Sequence, residues 1–166
     1  MDKDFKPKID LHNVLEKEIN LIQSCINRMS QNSFYLKGWL VSLVGILLAL
    51  KPTNLILINI CLIIISISFW YLNATYLRYE KQYRELYNWV IKERLKGNNK
   101  FLYSLDINRF DKNVDSRIKI MFKNTTLCFY GTITLILCLL LVILIYNQGG
   151  TGVESFIKWI KVILNF

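Results

Sequence analysis

Apolar residues in this chain gather into long runs, and the runs alternate with segments dense in charge. After Pro7, Asp10 suits a helix N-cap, and Leu11, Leu15, Ile19, Ile22, Ile26 and Met29 recur at spacings of three and four. That rhythm lines one helix face. The opposite face carries Glu16, Lys17, Glu18 and Arg28, too balanced in sign for an electrostatic membrane anchor. Residues 1–33 are therefore expected to form an amphipathic helix that packs on the rest of the protein.

Three runs are long enough to cross a bilayer. The first, Phe34 to Leu50, is broken only by Lys37, whose stem can carry its ammonium back to the headgroups, and Tyr35 and Trp39 suit that interface. Lys51, Pro52, Thr53 and Asn54 leave room only for a tight turn, so the second run, Leu55 to about Leu72, returns antiparallel and closes a hairpin over residues 34–74. It ends in Phe69, Trp70 and Tyr71, read as an aromatic belt. Periodicity then continues through Tyr76, Tyr79, Tyr83, Leu86, Tyr87, Val90 and Arg94, which predicts one rod extending beyond the membrane until Gly97, Asn98 and Asn99 stop it. Lys100 to Asn113 reads as a loop or broken helix. From Thr125 to Tyr146 there are 22 residues without a charge, the third crossing within residues 124–147. Beyond Gly149 and Gly150, residues 148–166 set Phe156, Trp159, Ile160 and Ile163 against Glu154, Lys158 and Lys161, an interfacial helix too short to span.

The fold class expected is thus an all-α membrane protein: three transmembrane helices, extended by cytoplasmic helices and ending in a short amphipathic one, assembled as an oligomeric bundle. A hydrophobic fraction of 53% and a mean hydropathy of +0.30 coexist with 21 Lys and Arg because the two kinds of residue are segregated. Between Thr75 and Lys123 there are twelve Lys and Arg against six Asp and Glu, while the hairpin turn offers Lys51 alone. Basic residues in short segments resist translocation, so the amino end and residues 75–123 are expected in the cytoplasm and the carboxyl end outside a bacterial inner membrane. The polar start, Met1 to Asn32, has no apolar stretch of the kind a cleavable signal needs.

Little of this points to catalysis. His12 is the only histidine, and the chain has no HExxH, phosphate-cradling Gly-rich loop or nucleophile elbow. No enzyme, metal or cofactor is expected. Cys25, Cys61, Cys128 and Cys138 lack metal spacing and are expected to be packing residues.

Two sets of residues carry candidate function. In the membrane runs, Gly38, Ser42, Gly45 and Ala49 place small residues along one helix face, where another backbone can approach. Asn59, Ser66 and Asn73 repeat every seventh residue, so three hydrogen-bonding side chains share a face. They serve either helix packing or, with several copies around an axis, the lining of a water-filled path. Thr125 and Thr132 share that spacing and could equally bond their own preceding carbonyls.

In the basic segment, the candidate cations Arg78, Lys81, Arg84, Lys92 and Arg94, together with Lys96, interleave with Tyr76, Trp89 and the stacking candidates Tyr79, Tyr83 and Tyr87, and the candidates Arg109, Lys112, Arg117 and Lys119 follow before the third crossing. Cations neutralise phosphates while bases stack on aromatic faces, so this mixture suits single-stranded nucleic acid. The same pattern also suits a packed tyrosine stripe with anionic lipid beside it and i,i+4 pairs such as Glu80 with Arg84.

The stretches NRMSQNSFYLKGW and FWYLNATYLRYEKQYRELYNWV resemble the membrane effectors of the Hailong antiphage defence system, over about residues 11–95. That resemblance implies a homotetrameric ion channel held shut by single-stranded oligodeoxyadenylate from a partner nucleotidyltransferase, and opened when infection removes the ligand. It assigns no ligand-binding residues. A weaker likeness is to the SLATT class of two-helix membrane effectors, from which the third long helix departs. Against the channel stands a non-conducting anchor or scaffold that binds a protein through Leu15, Ile22 and the tyrosine stripe.

Overall fold

The computed structural model describes residues 11–50 and 54–147. The amino-terminal residues with Asp10, the turn residues 51–53 and the carboxyl-terminal amphipathic segment lie outside them. All regular structure among the described residues is helical.

Helix α1 runs from Leu11 to Ala49 without interruption. The amphipathic segment and the first apolar run are thus one continuous helix. Met29 to Ser33 contains no Gly or Pro, and polar residues alone do not end a helix whose flanks are both packed. Helix α2 runs from Leu55 to Leu95, 41 residues, or about 60 Å at ~1.5 Å per residue. Its start is capped by Asn54, whose side-chain oxygen accepts the Leu57 N–H at 3.1 Å. Its end is a paired-turn stop: the Gly97 N–H donates to the Arg94 carbonyl and the Asn98 N–H to the Glu93 carbonyl, each at 3.0 Å. Gly97 takes φ +76°, which a side chain would resist. As expected, the following segment is irregular and contains only a 3₁₀ turn, Asn108–Asn113.

Helix α3, Arg117–Met121, is a single short turn. Helix α4 spans Asn124–Asn147 and widens to a π turn over Leu127–Gly131 before resuming as Thr132–Asn147. The hydroxyl of Thr132 bonds the Cys128 and Phe129 carbonyls at 2.6 and 3.0 Å, so it serves the backbone, as its spacing allowed.

The chain divides into two compact units, each drawing on both long helices. The first, residues 1–34 with Thr75–Ile120, has a core of Ile22, Ile26, Leu86, Val90 and Phe110. Leu15, Tyr83, Tyr87, Trp89 and Ile107 pack against it. In water, each fully buried aliphatic side chain of such a core contributes about 1.5–3 kcal/mol. Leu15 and Ile22, considered as partner-binding residues, are thus taken up by the unit's own interior.

The second unit, Tyr35–Ala74 with Met121–Phe166, centres on Leu40, Trp70 and Tyr130. Among the described residues, two helices are long and apolar enough to cross a membrane: α2, with 22% of its apolar window buried, and α4, with 11%. A soluble core helix would hide most of such a window. Here Ile64, Ile67, Leu135, Ile136, Leu139, Val142 and Ile143 all face outward.

Candidate functional site

The polar stripe of α2 lies inside the second unit. Asn59 is 2% exposed and Ser66 and Asn73 are 0% exposed, so the three do not face a lumen between copies in this arrangement. Ser66 shares a hydrogen bond with Thr134 of α4 at 2.9 Å, the helix-packing use of such a residue. Thr134 was not apparent from sequence, because its spacing to Thr125 and Thr132 marks no face. The small-residue stripe of α1 is the converse case. Gly38, Ser42, Gly45 and Ala49 are all exposed, and an added Cβ at Gly38 or Gly45 meets nothing within 4 Å. The cysteines, expected to pack, divide. Cys25 is buried, while Cys61, Cys128 and Cys138 are exposed and pack no interior.

Trp70 was expected in an interfacial belt beside Tyr71. It is instead 9% exposed and donates its indole N–H to the Met121 carbonyl at 2.9 Å, whereas Tyr71 is exposed. Its ring lies parallel to Tyr130 with centroids 6.3 Å apart, and meets the edge of Phe122 at 5.6 Å.

The nine expected ligand-binding cations separate into groups. Arg94 belongs to none of the exposed ones: it is 4% exposed and all five of its N–H donors are used. Nε and Nη2 hold the Glu18 carboxylate at 2.7 and 2.9 Å. Nη1 donates to the carbonyls of Asn98 and Lys100 at 2.6 and 3.0 Å, and Nη2 also to that of Phe101 at 3.3 Å. Glu18, expected on the outer face of α1, is 3% exposed and takes a further bond from the Tyr103 N–H at 2.6 Å. Burial pushes the Glu18 carboxyl up. The bonds from Arg94 and Tyr103 and the Arg94 charge outweigh it and hold the group below its ordinary value. Arg94 is raised by its bond to Glu18 against the opposing effect of burial.

Arg78 is also committed. It donates to the Asp115 and Asp111 carbonyls, both at 3.3 Å, and pairs with the Asp111 carboxylate at 3.4 Å, which Gln82 bonds as well. Arg84 pairs with Glu80 at 2.8 Å and Lys119 with Asp115 at 2.7 Å, both as i,i+4 neighbours with the cation largely in solvent. Such pairs contribute about 0.3–0.5 kcal/mol and leave the charge available. Lys81 and Arg84 border an open polar depression of about 210 Å³ with Glu85, Asn113, Val114 and Asp115. Arg117 is half-buried, while Lys92, Arg109 and Lys112 are exposed.

The three tyrosines are half-buried, and two of them, Tyr83 and Tyr87, pack on the first unit's core, which leaves them little free face for stacking. A different aromatic platform replaces them. Arg109 lies over Phe101 at 4.5 Å and over Trp89 at 4.7 Å, and the two rings meet edge to face at 6.2 Å. Phe101 is 57% exposed and Lys92 stands one turn from Trp89. Phe101 and Tyr103 both hold positive φ, 58° and 56°, in the loop that Arg94 and Glu18 fasten. Strain of this kind persists only where the surroundings enforce it.

No protein-family model, curated protein or solved structure matches this chain.

Proposed function

We propose that the chain is an oligomeric ion channel or pore-forming effector of the bacterial inner membrane, gated by a nucleic-acid or nucleotide ligand on its basic unit. The observation that carries this reading is α2 itself. It is one uninterrupted helix whose first half is an apolar window with 22% of its residues buried, and whose second half bears the cations and aromatic residues. A ligand that displaces the second half of a stiff helix acts on the first. The apolar end of α1 supplies a third crossing, with Trp39, Val41 and Ile46 turned outward, and copies associate through its outward face of small residues. The basic unit lies in the cytoplasm and the carboxyl end outside.

Phe101, Arg109 and Lys92, with Trp89 beneath them, are the ligand surface this geometry favours, since they combine one exposed ring with exposed cations. The resemblance to Hailong effectors makes single-stranded oligodeoxyadenylate the first ligand to test, a nucleotidyltransferase its source, and a homotetramer the first assembly. Protein reconstituted in liposomes is expected to pass ions, and oligodeoxyadenylate to suppress the current. Lys92→Glu with Arg109→Glu is expected to abolish measurable affinity for a fluorescent oligodeoxyadenylate. The lesser change, Lys92→Ala with Arg109→Ala, lowers the salt slope by about 1.4, at ~0.7 per phosphate contact. Unchanged affinity in the reversed variant removes this ligand surface. Absence of current under every ligand condition removes the channel.

A non-conducting scaffold is the second reading, favoured by the exposed large apolar residues Leu95, at 76%, Phe101, Tyr103 and Leu105. It predicts neither current nor oligonucleotide affinity.

A further inference from the structure

The second unit buries a polar face of α2. Ser66 has Thr134 at 2.9 Å. Asn59, one heptad earlier on the same face of α2, is 2% exposed, and neither its carboxamide nitrogen nor its oxygen has a hydrogen-bond partner. Leaving a buried amide unbonded is costlier than the bond itself is stabilising, and hydrocarbon supplies no water to relieve it. Leu or Ile fills most of the neighbouring positions, so a residue of similar volume without this cost was available at position 59. The hydroxyl of Tyr130 on α4, 0% exposed, likewise lacks a partner. Because Asn59 is enclosed by its own chain, no second copy can reach it unless the packing around α2 opens. Unpaired polar groups within a membrane segment mark paths for water and ions.

We infer that this arrangement is the closed state, and that opening turns the Asn59 face of α2, with Ser66 and Thr134, onto the ion path. The inference rests on the channel reading and names the residues that conduction uses. In the closed state the carboxamide forgoes its bonds, and in the open state water and ions supply them. The unsatisfied amide therefore biases the equilibrium toward opening. A neutral carboxamide presents a donor and an acceptor and hydrates ions of either sign. A carboxylate at the same place favours cations.

Full-length protein in liposomes under a KCl gradient tests this with three variants. Asn59→Asp is expected to move the reversal potential toward that of K⁺. Asn59→Leu is expected to lower the current at least about fivefold, by removing the groups that only the open state satisfies, and to raise the unfolding temperature in detergent by roughly 2 °C or more. Asn59→Gln keeps the current. If Asn59→Asp does not accumulate, the contrast between the Leu and Gln variants carries the test. A conducting wild type with an unmoved reversal potential in Asn59→Asp and full current in Asn59→Leu overturns the inference. So does a lower unfolding temperature for Asn59→Leu. A silent wild type instead removes the channel reading on which the inference stands, so the two failures are told apart.

Discussion

Arg94→Ala lowers stability by about 3–5 kcal/mol, because it strands the Glu18 carboxylate inside the first unit with its ionic partner gone. The loss reaches beyond one pair. The same guanidinium closes on the carbonyls of Asn98, Lys100 and Phe101, and Glu18 closes on the Tyr103 N–H. Without them the loop has no reason to hold Phe101 and Tyr103 at positive φ. The aromatic platform under Arg109 should disperse with it. Glu18→Ala is expected to cost as much, leaving the buried cation. Glu18→Ala combined with Arg94→Ala should cost less than the sum of the singles, since neither charge is then orphaned. Denaturation of the single and double variants in detergent measures all three. Strictly additive losses would mean that the pair contributes no coupling.

The same pair sets a pH dependence. The folded-state pKa of Glu18 lies below its ordinary value, so the folded protein holds the carboxylate charged where the unfolded chain would protonate it. Stability from this group is complete above the ordinary carboxylate value and is lost as pH falls through the lowered folded one. Acid unfolding of the wild type should therefore be steeper in that window than acid unfolding of the Glu18→Ala, Arg94→Ala variant. Superimposable acid transitions would remove Glu18 as the cause.

Periodicity was a sound guide wherever one helix carried the information. The continuation of α2 through the tyrosines and its stop at Gly97 follow from local spacing and a local stop signal. Arg94 could have been placed as well: it falls on the same three-and-four rhythm as Leu86 and Val90, and a charge on an apolar stripe signals a buried, partnered group. Glu18, set four residues before the buried Ile22, carries the matching signal on α1. What joins them is 76 residues of intervening chain, and no local rule spans that distance. The Trp89, Phe101 and Arg109 cluster was not legible, because it assembles a helix, a loop and a 3₁₀ turn without shared periodicity. On α1, a run of polar residues such as Ser30 to Ser33 is no helix boundary. Only a residue hostile to helical φ and ψ makes one.

Trp70→Ala should be the most damaging change in the second unit, at about 3–5 kcal/mol. In lipid the cost does not come from withdrawing apolar surface from water, since hydrocarbon solvates the indole as well as protein does. It comes from contacts that lipid does not reproduce: the parallel face of Tyr130, the edge of Phe122 and the bond to the Met121 carbonyl. That carbonyl also accepts the Thr126 hydroxyl at 2.8 Å, so one oxygen ties α2 to the first turn of α4. The π turn completes the fit. It presents Tyr130 within 8° of the Trp70 plane, and at Gly131 a Cβ would press Leu127 at 3.3 Å. Trp70→Phe separates the contributions, keeping a ring while deleting the N–H, for an expected loss of about 1 kcal/mol. Titration with a denaturing detergent reads both variants. If Trp70→Phe proves as harmful as Trp70→Ala, the hydrogen bond rather than the stacked ring holds α4 to α2, and the π turn then has no role in setting that contact.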